Sequence, residues 1–308
     1  MKLARVIYQE RVRLALVEAD KGEALLIDGL LTHDLNPVRT VIERRIGEAE
    51  LLSAATKRVR FDEITFLSPF SELVRNVFAV GKNYVDHARE FDASGFNATS
   101  GGASVPSAPQ FFTKATTSLA GPTDPIVYSE ALTSSVDYEG EVGVVIGREC
   151  RNVRQESALN QVFGFVALND VTARDLQRNH GQWFLGKSLD TFCPLGPWIA
   201  TIDQVPIDAI RLRTWVNDEM RQDAPLTDLI FSVPKLIETL SAVMTLLPGD
   251  IIATGTPVGV GIGFSPPRFL QDGDVVRVSA TGLGELRNTV NIYCSPGCQS
   301  GLYPPSVG

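Results

Sequence analysis

The sequence predicts a β-rich α+β fold made of a small N-terminal unit and a larger domain. Short apolar segments of strand length recur through the larger part of the chain with few helical segments between them, whereas a doubly wound sheet alternates the two. Turn sequences such as Asn217-Asp218 and Asp272-Gly273 separate several of these segments and suit antiparallel connections. We place the boundary near Pro69, so that residues 1–70 form the first unit and residues 71–308 the second.

The small N-terminal unit is predicted to combine strands with a helix in an α/β arrangement. Residues 12–18 and 23–28 are apolar or alternating and lie on either side of Asp20-Lys21-Gly22, which indicates a β-hairpin. From Asn36-Pro37 to Ala55 the apolar residues take helical spacing.

The larger domain is predicted to hold most of the strands and one long helix. A buried strand over residues 76–81 precedes a short helical segment over residues 82–91. A longer helix over residues 233–246 has Ser232 as its predicted N-cap and Pro248-Gly249 as its stop signal. Further strands are predicted at residues 110–114, 141–146, 162–168, 210–216, 250–254, 274–279 and 286–291.

Composition and charge argue against several classes of partner. The net charge is −8 and the pI is near 5.0, which disfavours nucleic acid and anionic membrane surfaces. No segment reaches the ~18 apolar residues that a membrane span needs. Residues 1–20 are charged throughout and lack the apolar core of a signal peptide. We therefore expect a cytoplasmic protein.

Cysteine and histidine usage disfavours a zinc site. The cysteines form no paired metal-binding motif. Cys294 and Cys298 flank Ser-Pro-Gly and are able to pair under oxidation, but reduced thiols are expected in the cytosol. The three histidines, His33, His87 and His180, are too few for a His-rich zinc site.

The most informative stretch is residues 136–147, where acids alternate and an apolar run follows. Residues 142–146 predict a buried strand. Residues two apart on a strand share a face, so Asp137, Glu139 and Glu141 are predicted to project the same way. Buried anions of this kind are neutralised by a cation or by protonation, and all-oxygen ligands suit Mg²⁺, Mn²⁺ or Ca²⁺. The alternative is a solvated strand edge, and this segment alone does not decide between them.

Two further polar residues follow apolar segments. Asp170, in Asn169-Asp170, ends a predicted strand, where it either supplies another oxygen ligand or caps a helix that begins at Val171. Lys187 lies between aromatic and glycine residues in Gly186-Lys187-Ser188. It either contacts an anionic substrate or an oxygen ligand of a metal, or is an amphipathic surface lysine.

His87 and Glu90 are three residues apart, so they share a face of the predicted helix. A carboxylate beside an imidazole orients the ring and raises its basicity, which suits a general base for water. The alternative is a surface helical pair. Residues 92–109, which follow, are rich in Gly, Ser, Ala and Asn, and a loop of this length is either a functional lid or disordered. Closure of such a lid would bring His87 over a site.

A glycine-rich segment follows the strand predicted at residues 250–254. This segment, residues 255–261, is able to present backbone N–H groups to a carboxylate. It lacks the Lys-Ser/Thr pair of a phosphate loop, and Gly81-Lys82 lacks the glycine five residues earlier. Nucleotide binding is therefore disfavoured.

Taken together, these segments resemble the fumarylacetoacetate hydrolase family, and in particular its acylpyruvate hydrolases. The resemblance runs from about residue 76 to residue 291 and rests on the number and order of the motifs. The matching pieces are Val80-Gly81-Lys82-Asn83-Tyr84-Val85-Asp86-His87, Phe112-Thr113-Lys114, Asp137-Tyr138-Glu139-Gly140-Glu141, Asn169-Asp170-Val171-Thr172-Ala173-Arg174-Asp175, Gly186-Lys187-Ser188 and Thr254-Gly255-Thr256-Pro257.

The resemblance implies a mixed β-roll catalytic domain, like the family's C-terminal domain, behind a small N-terminal domain, usually as a homodimer. It implies Mg²⁺ or Mn²⁺ bound by Glu139, Glu141 and Asp170, which leaves Asp137 outside the ligand set. The other implied site residues are His87 and Glu90 as the lid dyad, Lys187 as the lysine of the Gly-Lys-Ser motif, and Arg174, Gln177 and Thr256 as substrate contacts.

The chain departs from the family in two places. Gly140 stands where the family often has a bulkier apolar residue, and on a strand it faces away from the ligands. Residues 92–109 are long for a lid, and because the lid shapes the substrate pocket, the resemblance does not define the substrate.

Our leading hypothesis is metal-dependent hydrolysis of a carbon–carbon bond in a 1,3-diketo acid. The substrate would be of the acylpyruvate or fumarylpyruvate type, or a diketo-deoxy sugar acid, and the products pyruvate and a carboxylic acid. Such steps belong to the catabolism of aromatic or sugar acids. His87, oriented by Glu90, would deprotonate water, and hydroxide would attack the distal carbonyl. The cation would stabilise the pyruvate enolate as a Lewis acid, and Lys187 would add positive charge.

Two other functions stay open from the sequence. The first is oxaloacetate decarboxylation, or a related lyase, hydratase or isomerase reaction, which needs the same cation and enolate but no attacking water. The second is a non-catalytic binding or scaffolding protein of the same fold. Loss of the acids or of the dyad would mark that second case, and all of them are present.

Overall fold

The computed structural model describes the chain in four stretches, residues 1–28, 31, 34–96 and 105–293. Cys294, Cys298 and His33 lie outside the described residues, as do residues 97–104 of the loop predicted over 92–109. Residues 92 and 93 of that predicted loop are helical instead. Cys150 and Cys193 are buried free thiols.

The N-terminal part combines strands with two short helices. Its elements are β1 (Lys2–Tyr8), β2 (Arg11–Glu18), β3 (Glu23–Ile27), α1 (Pro37–Arg44), α2 (Glu48–Ser53), β4 (Ala55–Arg60) and β5 (Thr65–Leu67). Strands β2 and β3 pair antiparallel across Gly22, which has φ 65°, so the predicted hairpin is confirmed.

The larger part holds fourteen of the described strands. They are β6 (Val77–Gly81), β7 (Gln110–Lys114), β8 (Leu119–Ala120), β9 (Ile126–Ser129), β10 (Val136–Asp137), β11 (Gly140–Ile146), β12 (Val162–Asn169), β13 (Thr172–Ala173), β14 (Cys193–Thr201), β15 (Arg211–Val216), β16 (Glu219–Pro225), β17 (Ile251–Ala253), β18 (Val275–Ala280) and β19 (Gly284–Tyr293). Every strand predicted from residue 76 onward is present in this set.

Five α-helices of the larger part connect these strands. They are α3 (Val85–Ala93), α4 (Gln155–Ala158), α5 (Arg174–Asn179), α6 (Phe184–Lys187) and α7 (Val233–Val243). Among the described residues, no helix is long and apolar enough to cross a membrane.

Some predicted helices have different bounds in the structure. The helical spacing over residues 36–55 gives two helices, because Arg45 takes a left-handed conformation, φ 56°, that ends α1. The segment over residues 82–91 becomes helical only at Val85, after a turn in which Lys82 has φ 54°. Ser232 is the N-cap of α7 as predicted, but its side chain makes no capping hydrogen bond.

The strands form two main sheets. The central sheet has the order β4-β3-β2-β1-β14-β12-β11-β17-β6-β7, with β5 on β1 and β8 on β14. The second sheet has the order β16-β15-β18-β19-β9, and β10 pairs with β13. Most neighbours are antiparallel, whereas β17–β6, β14–β8 and β19–β9 are parallel. The predicted β-rich mixed α+β class is confirmed.

The N-terminal strands extend the central sheet. Strand β1 pairs antiparallel with β14, so that Lys2 lies opposite Ala200 and Leu3 opposite Ile199. These contacts do not define a domain boundary, and the boundary near residue 70 stays a prediction.

Two apolar cores lie on the two faces of the central sheet. Along β11, Val142 and Val144 belong to one core and Val145 to the other, as the period of two in a strand requires. The first core includes residues of the second sheet, and the second core includes residues of α1. Strand β11 is buried along its whole length, which holds the acids at its start in a dry environment.

Candidate metal centre and active site

Three acidic side chains converge where β11 and β12 meet. Glu139 directly precedes β11, Glu141 is its second residue, and Asp170 directly follows β12. Antiparallel pairing places Gly140 opposite Asn169, so the acids of both strands reach the same place. One carboxylate oxygen from each lies within 4.8 Å of the others, and all three residues are buried. The alternative of a solvated strand edge is therefore wrong.

Asp137 does not join this group, although strand periodicity predicted that it projects with Glu139 and Glu141. Strand β10 ends at Asp137 and β11 begins at Gly140, so the alternation of a continuous strand does not hold across the gap. The buried Asp137 carboxylate instead accepts hydrogen bonds from the backbone N–H groups of Gly261 (2.7 Å) and Ile262 (3.1 Å).

Arg174 connects Asp137 to the three-carboxylate cluster. Its Nε donates to Asp137 Oδ2 at 2.9 Å, and its Nη1 lies 2.6 Å from Glu139 Oε1. Nη1 also donates to Gln177 Oε1 at 3.1 Å, one helical turn along α5. The predicted substrate contacts Arg174 and Gln177 thus lie together beside Glu139.

Two buried lysines contact the same cluster. Lys187 Nζ lies 2.7 Å from Glu139 Oε2 and 2.6 Å from Asp170 Oδ2, so the alternative of a surface lysine is wrong. Lys114 Nζ lies 2.6 Å from Asp170 Oδ1 and also donates to the backbone carbonyl of Lys187. Sequence reasoning gave Lys114 no role, although its position in Phe112-Thr113-Lys114 was a signal.

Asp170 is no helix cap, because Ala173 caps α5.

The electrostatics of the cluster fit a divalent cation. Burial raises the pKa of Glu141 well above its usual value, and the charges of Asp170 and Glu139 raise it further. Burial acts in the same direction on Glu139, but the charges of Lys187 and Arg174 outweigh it and hold the pKa of Glu139 below its usual range. Repulsion is therefore greatest at Glu141, where a cation would replace the proton. The all-oxygen donor set suits Mg²⁺ or Mn²⁺.

The predicted dyad is formed on α3. His87 Nδ1 lies 3.0 Å from Glu90 Oε2, and the two side chains are only 5% and 10% exposed, so the alternative of a surface pair is wrong. The other oxygen, Glu90 Oε1, accepts a hydrogen bond from the backbone N–H of Gly259 at 2.9 Å. Glu90 is therefore held by the ring of His87 and by the loop that follows β17.

That glycine-rich loop holds three carboxylates of the protein itself. Gly255 N donates to Glu141 Oε2 at 2.8 Å, and Gly259 and Gly261 donate to Glu90 and Asp137 as described above. The sequence predicted that backbone N–H groups of this loop bind a carboxylate. The carboxylates that they bind in the structure are side chains of the protein itself. Thr256 Oγ1 donates to the Gly140 carbonyl at 2.9 Å and accepts from Gln222 Nε2 at 2.8 Å.

A small cavity joins the dyad to the carboxylate cluster. It measures about 20 Å³, which is room for one water molecule or ion. Trp183 forms part of its apolar wall and has edge contacts with Phe91 (5.9 Å) and Phe112 (5.3 Å). The polar residues that line it are Lys82, His87, Glu139, Glu141, Gln177, Lys187 and Thr256.

Residues 76–291 match the family defined by the C-terminal domain of fumarylacetoacetate (FAA) hydrolase. The chain belongs to the fumarylacetoacetate hydrolase family. It is 44% identical over 229 residues to the oxaloacetate tautomerase YisK of Bacillus subtilis (strain 168), covering 74% of this chain and 73% of that protein. The family is one of enzymes, and the relatives of this chain in it include hydrolases and a tautomerase.

Two solved structures extend the comparison. The fumarylacetoacetate hydrolase EaFAH of psychrophilic Exiguobacterium antarcticum superposes with a TM-score of 0.82 and 41% identity, over 95% of this chain and 100% of that one. The maleylpyruvate hydrolase of Sphingobium sp. SYK-6, in complex with manganese(II) and pyruvate, has a TM-score of 0.74 and 33% identity, over 95% and 99%.

Proposed function

We propose that the protein is a divalent metal-dependent hydrolase that cleaves a carbon–carbon bond in a 1,3-diketo acid. The substrate would be of the acylpyruvate or fumarylpyruvate type, or a diketo-deoxy sugar acid. The observation that carries this proposal is that the His87–Glu90 dyad and the cluster of Glu139, Glu141 and Asp170 line or border one small cavity. An oriented base and a cation-binding site are the two requirements of the reaction.

Glu139, Glu141 and Asp170 would hold Mg²⁺ or Mn²⁺, because their oxygens are close together, buried and partly uncompensated. When bound, the ion would act as a Lewis acid for the carboxylate and 2-oxo oxygens of the substrate. The solved relative that contains manganese and pyruvate supports this choice of ion and of product.

His87 would act as the general base. Glu90 lies beside Nδ1, and we assign that nitrogen as the donor, which leaves Nε2 as the basic nitrogen. Nε2 would take a proton from water, and the resulting hydroxide would add to the distal carbonyl carbon. Cleavage of the carbon–carbon bond would leave a carboxylic acid and the enolate of pyruvate, which takes up a proton.

Lys187 and the other polar residues would position the substrate. Lys187 Nζ lies among the carboxylate oxygens, where its charge would stabilise negative charge on the substrate oxygens. Gln177 and Thr256 line the cavity, and Arg174 lies behind Glu139. We propose that these three contact or orient the substrate carboxylate.

A second candidate is keto–enol tautomerisation of oxaloacetate. It is favoured by the 44% identity to an oxaloacetate tautomerase. Tautomerisation needs no attacking water, because His87 would only move a proton between carbon and oxygen. Decarboxylation of oxaloacetate, which needs the same cation and enolate, is a third candidate reaction.

The first experiment mixes metal-stripped protein with Mg²⁺ and a small acylpyruvate and follows the products by NMR. Pyruvate and a free carboxylic acid that form only with metal support the hydrolase. The same sample with oxaloacetate reports tautomerisation from the enol signal and decarboxylation from pyruvate alone. The His87→Ala variant should bind metal normally and lose hydrolysis, and normal hydrolysis by that variant would refute the assigned base.

The homodimer and the cytoplasmic location stay predictions. Light scattering of the purified protein measures the first.

A further inference from the structure

Lys82 is a buried cation that the proposed reaction does not use. It follows β6 directly, and only 6% of its surface is exposed. It lines the same cavity as His87, Glu141 and Lys187. Lysine is seldom buried in proteins unless it has a partner, so its place in the cavity wall requires an explanation.

The backbone holds Lys82 in place at a conformational cost. Its φ of 54° is left-handed, which is unfavourable for a residue with a side chain and recurs at functional sites. The next residue, Asn83, is fully buried and fixes the turn, because its Nδ2 donates to the carbonyls of Phe231 (3.0 Å) and Thr254 (2.8 Å). Its Oδ1 accepts from Phe231 N at 2.8 Å. The turn therefore places the side chain of Lys82 in the cavity wall.

The partner of Lys82 is a carboxylate on the helix that carries the dyad. Lys82 Nζ lies 2.6 Å from Asp92 Oδ1, near the C-terminal end of α3. The Asp92 side chain is 23% exposed, whereas that of Lys82 is 6% exposed. A residue that lines the cavity thus already binds one carboxylate through its ammonium group, and a carboxylate is the group that a dicarboxylic substrate would bring.

A row of aromatic rings separates Lys82 from Lys187. Lys82 Nζ lies 5.3 Å from the ring centre of Phe91, and Lys187 Nζ lies 5.0 Å from that of Phe112. Trp183 contacts both rings. The two ammonium groups therefore sit at the two ends of this series of ring contacts, with the carboxylate cluster at the Lys187 end.

We propose that Lys82 binds the distal carboxylate of the substrate and makes the enzyme selective for dicarboxylic 2-oxo acids. The inference rests on the proposed function and names its substrate class. The cavity has room for only one water molecule or ion in this structure, so the substrate must widen it. In the widened cavity the 2-oxo acid end lies by Lys187, the carbon chain lies along Phe91, Trp183 and Phe112, and the far carboxylate replaces or joins Asp92 at Lys82. No covalent step is involved, because Lys82 acts only as a charged hydrogen-bond donor.

The test compares two substrates of equal length that differ only at carbon 7. One is 2,4-dioxoheptanedioate, which ends in a carboxylate, and the other is 2,4-dioxoheptanoate, which ends in a methyl group. Lys82→Met should lower kcat/KM for the dicarboxylate by about 10- to 100-fold, the size of one charge-assisted hydrogen bond, and leave the monocarboxylate within about threefold. Lys82→Arg should retain most of the preference, and exposed Lys235→Met is the matched control.

Asp92→Asn separates substrate recognition from a role in fastening α3. If Lys82 binds substrate, this variant keeps or improves the preference for the dicarboxylate, because a competing carboxylate is gone. If the Lys82–Asp92 pair only fastens the helix, both Lys82→Met and Asp92→Asn lower kcat/KM equally for the two substrates. That equal loss, or no loss with Lys82→Met, overturns the proposal.

A binding measurement keeps the proposal testable even if the hydrolase assignment fails. Calorimetry with the Mg²⁺-loaded protein compares the binding of 2-oxoadipate with that of 2-oxohexanoate. Neither acid has the second keto group of a 1,3-diketo acid, so neither can be cleaved. Tighter binding of 2-oxoadipate that disappears in Lys82→Met supports the assignment without turnover. Equal binding of the two acids by the unmodified protein overturns it, whatever reaction the enzyme catalyses.

Discussion

Replacing Gly263 with alanine is expected to inactivate the dyad without touching the metal centre. A Cβ atom at position 263 would lie 1.9 Å from Glu90 Oε1 and 2.3 Å from Glu90 Cδ. Gly263 is itself exposed, so the added methyl group meets little else. The three atoms nearest to this Cβ all belong to Glu90, so we expect the substitution to act chiefly on the orientation of that side chain.

The size of the effect follows from how far Glu90 must move. Ordinary contact begins at 3.4 Å, so the oxygen must shift by roughly 1.5 Å, and this displacement exceeds the tolerance of a hydrogen bond. Glu90 would lose its bonds to Gly259 N and His87 Nδ1, now 2.9 and 3.0 Å. A misplacement of about 1 Å costs on the order of 100-fold in rate, so Gly263→Ala should lower kcat by about 10- to 100-fold.

The assay measures turnover, Mg²⁺ affinity and thermal unfolding of Gly263→Ala beside Gly47→Ala. A Cβ at Gly47 meets nothing within 4 Å, so this control should keep its activity. Both variants should bind Mg²⁺ like the unmodified protein and unfold at nearly the same temperature. Full activity in Gly263→Ala would refute the claim that Glu90 positions His87, and lost Mg²⁺ affinity would refute the separation of dyad and metal centre.

Four further outcomes are expected. Glu141→Gln should abolish Mg²⁺ binding in calorimetry while circular dichroism stays unchanged. In the unmodified protein, Mg²⁺ affinity should rise with pH through the raised pKa of Glu141, because the proton must leave before the cation binds; a flat profile would refute this. Gly140→Ala should destabilise the protein in urea by about 1–3 kcal/mol, because its Cβ would lie 2.0 Å from Thr214 Oγ1, and Thr214→Ala should restore part of the loss. Asp137→Ala should cost about 3 kcal/mol by removing one partner of the buried Arg174, and unchanged urea unfolding would contradict that.

Local pattern was sufficient to predict the elements that carry the site. The apolar run of β11, the strand before Asp170 and the three-residue spacing of His87 and Glu90 are properties of short segments. Strand and helix periodicities depend on neighbours in sequence. That these acids and the dyad share one site was instead implied by the resemblance of the motif order to a family.

Contacts between distant segments were beyond that reasoning. The burial of Lys114 depends on Asp170, 56 residues away, and the position of Asp137 depends on a loop 124 residues away. Periodicity gave Asp137 the wrong place, because the strand is interrupted after it and the N–H groups of Gly261 and Ile262 compete for its carboxylate.

The sequence by itself determined which residues are able to form strands, which acids and bases are present, and in what order they occur. The tertiary structure decided which of those charges share one dry cavity. That decision is physical, because a buried charge is stable only beside partners that compensate it. Lys82 shows the difference: the sequence offers one lysine after a strand, and only the packing of Asn83, Phe91 and Asp92 around it makes this residue part of the cavity wall.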